Sequence, residues 1–182
     1  MPQYVVAGMS YVGAPLSSER QDWGTPPDFI EWLTGRFDEL TDGFDLDAAA
    51  SSHNHKAPNF FTIDDNSLFQ SWFGNVWLNP PFGDELKSFL SKCALEIENP
   101  EVKSIYVLIP ARTDTKWFHE IVVPHAAFVY LIKGRFNFIH GDAVDAANAP
   151  FPSMLVVYRH RLLPPLGAVI APLVVPKNAR GF

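Results

Sequence analysis

The chain has 182 residues, 47% hydrophobic and 19% charged, with a formal net charge of −6. That length and balance fit one globular domain with a full core and exclude a disordered chain. The acidic balance weighs against a broad non-specific nucleic-acid surface, though a local basic groove stays open. Aromatic residues make up 14%, a surplus read mostly as core. The single cysteine, Cys93, permits no internal disulfide and lacks the spacing of a metal site, so a reducing cytosol is expected. No basic segment followed by an apolar core opens the chain. The apolar tract Leu162–Val175 is broken by Pro164, Pro165 and Pro172 and is too short to span a bilayer. Residues 1–20 read as an N-terminal extension, 21–163 as the domain and 164–182 as a proline-rich tail that wraps the surface or stays mobile.

Tyr4–Val12 is a weak strand candidate, and no Lys-Ser or Lys-Thr follows Gly8–Gly13 to make a phosphate loop. Thr25 is a candidate N-cap for a helix whose apolar positions are Phe29, Ile30, Leu33, Phe37 and Leu40, ending at Gly43. Phe44–Asp47 is a short strand running into the tiny residues Ala48, Ala49, Ala50 and Ser51. Such a strand end admits a ligand close to the backbone, and equally it suits a tight helix start. His53 and His55 have no third ligand nearby and read as surface histidines. Asn59–Thr62 is a further strand, with a helical turn at Leu68–Trp72.

Asn75–Leu78 is an apolar strand that ends in Asn79-Pro80-Pro81-Phe82-Gly83. Leu86, Phe89, Leu90, Cys93, Ala94 and Ile97 then form one stripe of a helix, which buries Cys93. Ser104–Ile109 is a strand of the kind buried on both faces, followed by Pro110–Thr115 and a helix over 116–123. Ala127–Ile132 is another strand, Arg135–Ile139 alternates like an edge strand, and Gly141–Pro152 reads as a long loop. Ser153–Tyr158 is a strand suited to antiparallel pairing. Helices alternating with buried strands predict a three-layer α/β fold with a mostly parallel sheet. Asp47–Ala50, Asn79–Phe82 and Pro110–Asp114 all fall at carboxyl ends of strands, where ligands bind in such sheets.

The Asn79 corner has a definite chemical capacity. The Asn79 side chain and the Pro80 carbonyl are two acceptors, and Pro81 contributes no N–H beside them. Two fixed acceptors hold both hydrogens of an exocyclic amine and free its lone pair, while Phe82 stacks on the ring. Neither a metal nor an acidic nucleophile is needed.

Six segments in order carry a wider resemblance: Asp22–Pro26, Leu46–Ser51, Trp77–Gly83, Leu108–His119, Gly134–Phe136 and Ala149–Ser153. Together they resemble the phage-type DNA N6-adenine methyltransferase (Dam) family over nearly the whole chain. The resemblance implies a Rossmann-like methyltransferase fold, S-adenosylmethionine as donor, and adenine in double-stranded DNA as acceptor. It implies action in the cytoplasm of a bacterial or phage-infected cell, with no membrane partner. Asn79, Pro80, Pro81 and Phe82 would be catalytic. Trp23, Thr25, Pro26, Asp47, Ala48 and Ala49 would lie at the cofactor, and the usual Phe-x-Gly-x-Gly loop is absent. Asp64 or Asp65 would bind the adenosine or cap a loop. Arg112 and Asp114 would contact substrate or pair with each other, and Lys116, Lys133 and Arg135 would touch the DNA backbone or simply face solvent. Sequence reading would fall to the 141–152 and 51–61 loops. Adenine in RNA, glutamine in a protein, or cofactor binding without turnover are the alternatives.

Overall fold

The structure is a computed structural model that describes residues 24–140, 143–160 and 167–181. The readings on residues 1–20, and the role expected of Trp23, lie outside the described residues.

A seven-stranded sheet organises the chain. Its strands are β1 (Leu46–Asp47), β2 (Asn59–Phe60), β3 (Gly74–Leu78), β4 (Val102–Pro110), β5 (Phe128–Ile132), β8 (Ser153–Arg159) and β9 (Val169–Leu173). The spatial order is β2-β1-β3-β4-β8-β5-β9, and β8 alone runs antiparallel to its neighbours β4 and β5. A separate antiparallel pair is formed by β6 (Asn137–His140) and β7 (Ala143–Asn148). The sheet is therefore mostly parallel, as the near-continuous apolar runs of β3 and β4 predict.

Alternate residues of the central strands join two hydrophobic clusters. Val76, Leu78, Ile105, Val107, Met154 and Val156 pack with Leu86, Phe89, Leu90 and Cys93 of helix α2 (Leu86–Glu96). Trp77, Tyr106, Leu108, Leu155 and Val157 pack with Phe29 and Leu33 of helix α1 (Pro27–Thr34) and with Phe136 and Phe138. The period-2 alternation thus assigns each side chain of β3, β4 and β8 to the α1 side or the α2 side of the sheet. Cys93 is fully buried, and burial pushes its thiol well above the ordinary range, which removes its reactivity. After β4 a π-helical turn, Phe118–Val122, runs into the short helix α3 (Val123–His125).

Three expectations need correction. Thr25 is not an N-cap: Pro26 holds that position in an extended conformation (ψ 135°) because Pro27 follows it, and no side chain caps the helix. That helix stops at Thr34, and the apolar spacing continues in a 3₁₀ turn, Asp38–Leu40. The 141–152 region is not a long loop, because Ala143–Asn148 pairs with Asn137–His140. Its small residues hid a strand whose partner lies immediately upstream. Finally, the proline-rich end supplies β9, paired parallel to β5, and buries Leu173, Val175 and Ala179. Pro172 is tolerated there because β9 is an edge strand.

Gly74 sets the start of the central strand. Its φ is +65°, and a Cβ there would lie 2.2 Å from Asp45 Oδ2, the atom that accepts the Asn75 N–H at 2.7 Å. Gly74→Ala forces a left-handed alanine and displaces that carboxylate. Urea unfolding should show a loss of about 2 kcal/mol; an unchanged midpoint would contradict this role for Gly74.

Candidate active site

From β1 the sheet extends outward through β2 on one side and through β3 and β4 on the other. The carboxyl ends of β1 and β3 therefore flank a topological switch point, the place where parallel sheets open a crevice. Leu46 is in register with Val76 and Asp47 with Trp77, so Asn79 follows two residues beyond Asp47's partner. Leu46 and Ala48 join the α2-side cluster, which leaves Asp47 between them on the α1 side. Asn79 has the parity of Trp77 and stands one residue past the end of β3.

Asp47 is 2% exposed. Its Oδ1 accepts the Ala49 N–H at 3.2 Å and its Oδ2 accepts the Lys56 N–H at 2.9 Å. Burial pushes its pKa up to about 6, against the lowering effect of those two N–H groups and of the Lys56 and His55 charges. Lys56 is held below its ordinary range by its own burial, opposed by Asp47, and its Nζ donates to Asn54 Oδ1. The alanines explain how the chain turns here without glycines. Ala48 is fully buried in the core and its N–H bonds to Trp77 O at 2.9 Å, while the Ala50 N–H reaches Phe61 O at 2.9 Å. Small side chains let three neighbouring strands converge on one carboxylate.

Beside this point is a cleft of about 600 Å³ lined by Pro27, Ile30 and Glu31 of α1, the His53–Lys56 loop and Ile139. Gly24 closes one edge through two backbone bonds with Ile139, at 2.8 and 2.9 Å. A Cβ at Gly24 would meet the Ile139 carbonyl at 3.1 Å and the movable end of Asn54, so this approach favours a small residue. Thr25 is 2% exposed, and its Oγ1 has no hydrogen-bond partner among the described residues. Pro26 is buried at the same helix start.

At the corner itself Asn79 is half-buried, Pro80 buried, and Pro81 and Phe82 half-buried. The Phe82 ring meets Phe151 edge-on, with centroids 5.5 Å apart, and Phe138 at 6.2 Å. An aromatic wall thus lines the α1 side of the corner.

The remaining candidates sit on the same rim at different distances along it. Arg112 is half-buried just past β4, and its carbonyl accepts the Thr115 hydroxyl at 2.8 Å. Asp114 and Lys116 are exposed, and no Arg112–Asp114 ion pair occurs among the described residues. Lys133 and Arg135 are exposed past β5, two strands beyond β4. Asp64 and Asp65 are exposed past β2. Asp65 Oδ2 accepts both the N–H and the hydroxyl of Thr62 at 2.7 Å, a loop-capping arrangement that holds its carboxyl below the ordinary range. Sequence reasoning missed Gly24, Asn54 and Lys56. Only Gly24 left a signal there, as part of the Asp22–Pro26 segment; the others act through backbone position and folding distance.

The model of the family described as DNA N-6-adenine-methyltransferase (Dam) matches residues 14–175. The chain is 31% identical over 147 residues to a DNA N-6-adenine-methyltransferase of Haemophilus phage HP1, covering 78% of this chain and 80% of that protein. It is 32% identical over 163 residues to a DNA N-6-adenine-methyltransferase of Escherichia phage T1, covering 79% of this chain and 66% of that protein. A match over that span, with the Asn79 corner at the sheet's switch point, places the chain in the DNA N-6-adenine-methyltransferase (Dam) family.

Proposed function

We propose that this protein transfers a methyl group from S-adenosylmethionine to the N6 amine of adenine in double-stranded DNA. The observation that carries the reading is the pairing of β1 with β3, which sets Asn79-Pro80-Pro81-Phe82 beside the buried carboxylate of Asp47. The names of the two phage relatives support the same activity. In this reading the sheet and its two flanking clusters form a three-layer Rossmann-like methyltransferase domain.

The residues around the cleft fit the cofactor. A pocket of about 600 Å³ suits a molecule of its size. A buried carboxylate suits a ligand with cationic groups, and the orphaned Thr25 hydroxyl suits a polar one. Asp47, bonded to the Lys56 N–H, and Thr25 and Pro26, next to Pro27, stand behind the lining and would hold it with Ala48, Ala49 and Trp23, while Asp64 or Asp65 would meet the adenosine part. When bound, S-adenosylmethionine supplies an electrophilic methyl group on a positively charged sulfur.

The chain's own work is to prepare the acceptor. The Asn79 side-chain carbonyl and the Pro80 carbonyl accept the two N–H bonds of the adenine amine. This draws the nitrogen toward tetrahedral geometry and frees the lone pair that the ring otherwise delocalises. The prolines fix both acceptors in advance, so no reorganisation is needed at the moment of reaction. Phe82 stacks on the base and orients it. As the nitrogen gains the methyl group it sheds one proton to solvent.

Pro80 is buried and Asn79 half-buried, so an adenine inside a duplex cannot reach them and must be extruded. Arg112, Lys116, Lys133 and Arg135 lie on the rim that a duplex would meet and would contact its phosphates, with the exposed Asp114 meeting the substrate beside them.

Two outcomes check the reading. Asn79→Ala should lower transfer of tritiated methyl to duplex DNA by about 10²–10³-fold while leaving the unfolding midpoint in place; full activity would remove Asn79 from the mechanism. Asp47 must be ionised to hold a cationic cofactor. Calorimetric affinity for S-adenosylmethionine should therefore be level at pH 7–8 and fall by about tenfold per pH unit below about 6. Affinity independent of pH across that range would exclude Asp47 from the cofactor site.

A further inference from the structure

The segment Ala149-Pro150-Phe151-Pro152-Ser153 has a place in the fold but none in the chemistry above. Ser153 opens β8 and pairs with Pro110 at the carboxyl end of β4. The Pro152 carbonyl accepts the Ala111 N–H at 2.8 Å, which ties this strand end to the segment leading into Arg112. Although β8 runs antiparallel, its first residue therefore stands on the same rim as Asp47 and Asn79.

The side chain also faces the right way. Met154 and Val156 join the α2-side cluster, and Leu155 and Val157 the α1 side, so Ser153 projects to the α1 side with Asp47. Phe151, two residues earlier, is the ring that meets Phe82 edge-on. A base stacked on Phe82 thus arrives beside the strand end that carries Ser153.

The hydroxyl is 1% exposed as a residue, and its Oγ has no hydrogen-bond partner among the described residues. A serine hydroxyl rotates freely and bonds any carbonyl in reach, so an orphaned one is unusual and costs stability. Alanine would fill the same space without that cost. The hydroxyl is then open to a partner outside the described residues, a bound ligand among them.

We propose that the Ser153 hydroxyl donates a hydrogen bond to a ring nitrogen flanking the amine of the target adenine, making Ser153 a substrate-binding residue. The proposal rests on the adenine reading above. With Asn79 and Pro80 on the amine, a donor to the adjacent ring nitrogen fixes the base in its own plane, which two acceptors on a rotating amine do not.

The test uses the full chain and its Ser153→Ala variant. Unfolding of Ser153→Ala should begin no earlier than that of the parent, and kcat/KM on duplex DNA should fall about tenfold, the loss of one hydrogen bond. Duplexes in which every adenine is 1-deazaadenine or 7-deazaadenine identify the nitrogen. One of the two should cost the parent about tenfold and cost Ser153→Ala nothing further. Full kcat/KM in Ser153→Ala overturns the proposal. So does a variant clearly less stable than the parent, or a deaza penalty of equal size in both proteins. A parent that methylates no adenine in DNA overturns the adenine reading itself, an outcome distinct from a Ser153→Ala variant that behaves like an active parent.

Discussion

The pairing of Asp47 with Trp77 is the contact on which the site depends. β1 contains two residues, Leu46 and Asp47, yet it is gripped on both sides, by Asn59 and Phe60 of β2 and by Val76 and Trp77 of β3. A slip of one residue would turn Asp47 into the α2-side core and carry Leu46 into the cleft, because side chains alternate along a strand. The register therefore decides whether the carboxylate and the Asn79 corner share a face. Gly74 and Asp45 guard it from the other end, through the bond from the Asn75 N–H to Asp45 Oδ2.

Around that register the molecule separates rigidity from polarity. The α1-side cluster is dense in rings: Phe29 meets Phe136 edge-on at 4.7 Å and Trp77 at 6.1 Å, and Phe44 packs on Trp77 at 5.5 Å. Those contacts immobilise the floor under Asn79 and Phe82. The polar groups at the rim have the opposite character. Asp47 is held above its ordinary pKa by burial, and the Thr25 and Ser153 hydroxyls have no partner among the described residues. Each carries a stability cost that a well-packed apolar residue would not.

Much of this was legible in the amino-acid sequence. The apolar runs of β3 and β4 and the stripe Leu86-Phe89-Leu90-Cys93 announce themselves by periodicity, and the Asn79 corner by its residue types. What remained hidden has physical causes. β7 is built of small residues whose partner lies immediately upstream, and β9 contains Pro172, so neither shows the pattern of a core strand. Thr25 looks like a cap because the rule reads one residue at a time, whereas Pro27 fixes the conformation of Pro26 before it. Lys56 contributes a backbone N–H to Asp47 across nine residues of chain, a role that any residue but proline could fill. Ser153 sits in a segment that signalled family membership, but only the parity of β8 and the buried hydroxyl indicate what it faces.

In the proposed function the corner prepares the amine of adenine in DNA. Duplex DNA free of methylated bases, incubated with the protein and S-adenosylmethionine and then digested to nucleosides, tests it directly by mass spectrometry. N6-methyladenine is the expected product, with cytosine unmodified. Methylated cytosine, or methyl transfer to RNA or protein with DNA left untouched, would contradict it.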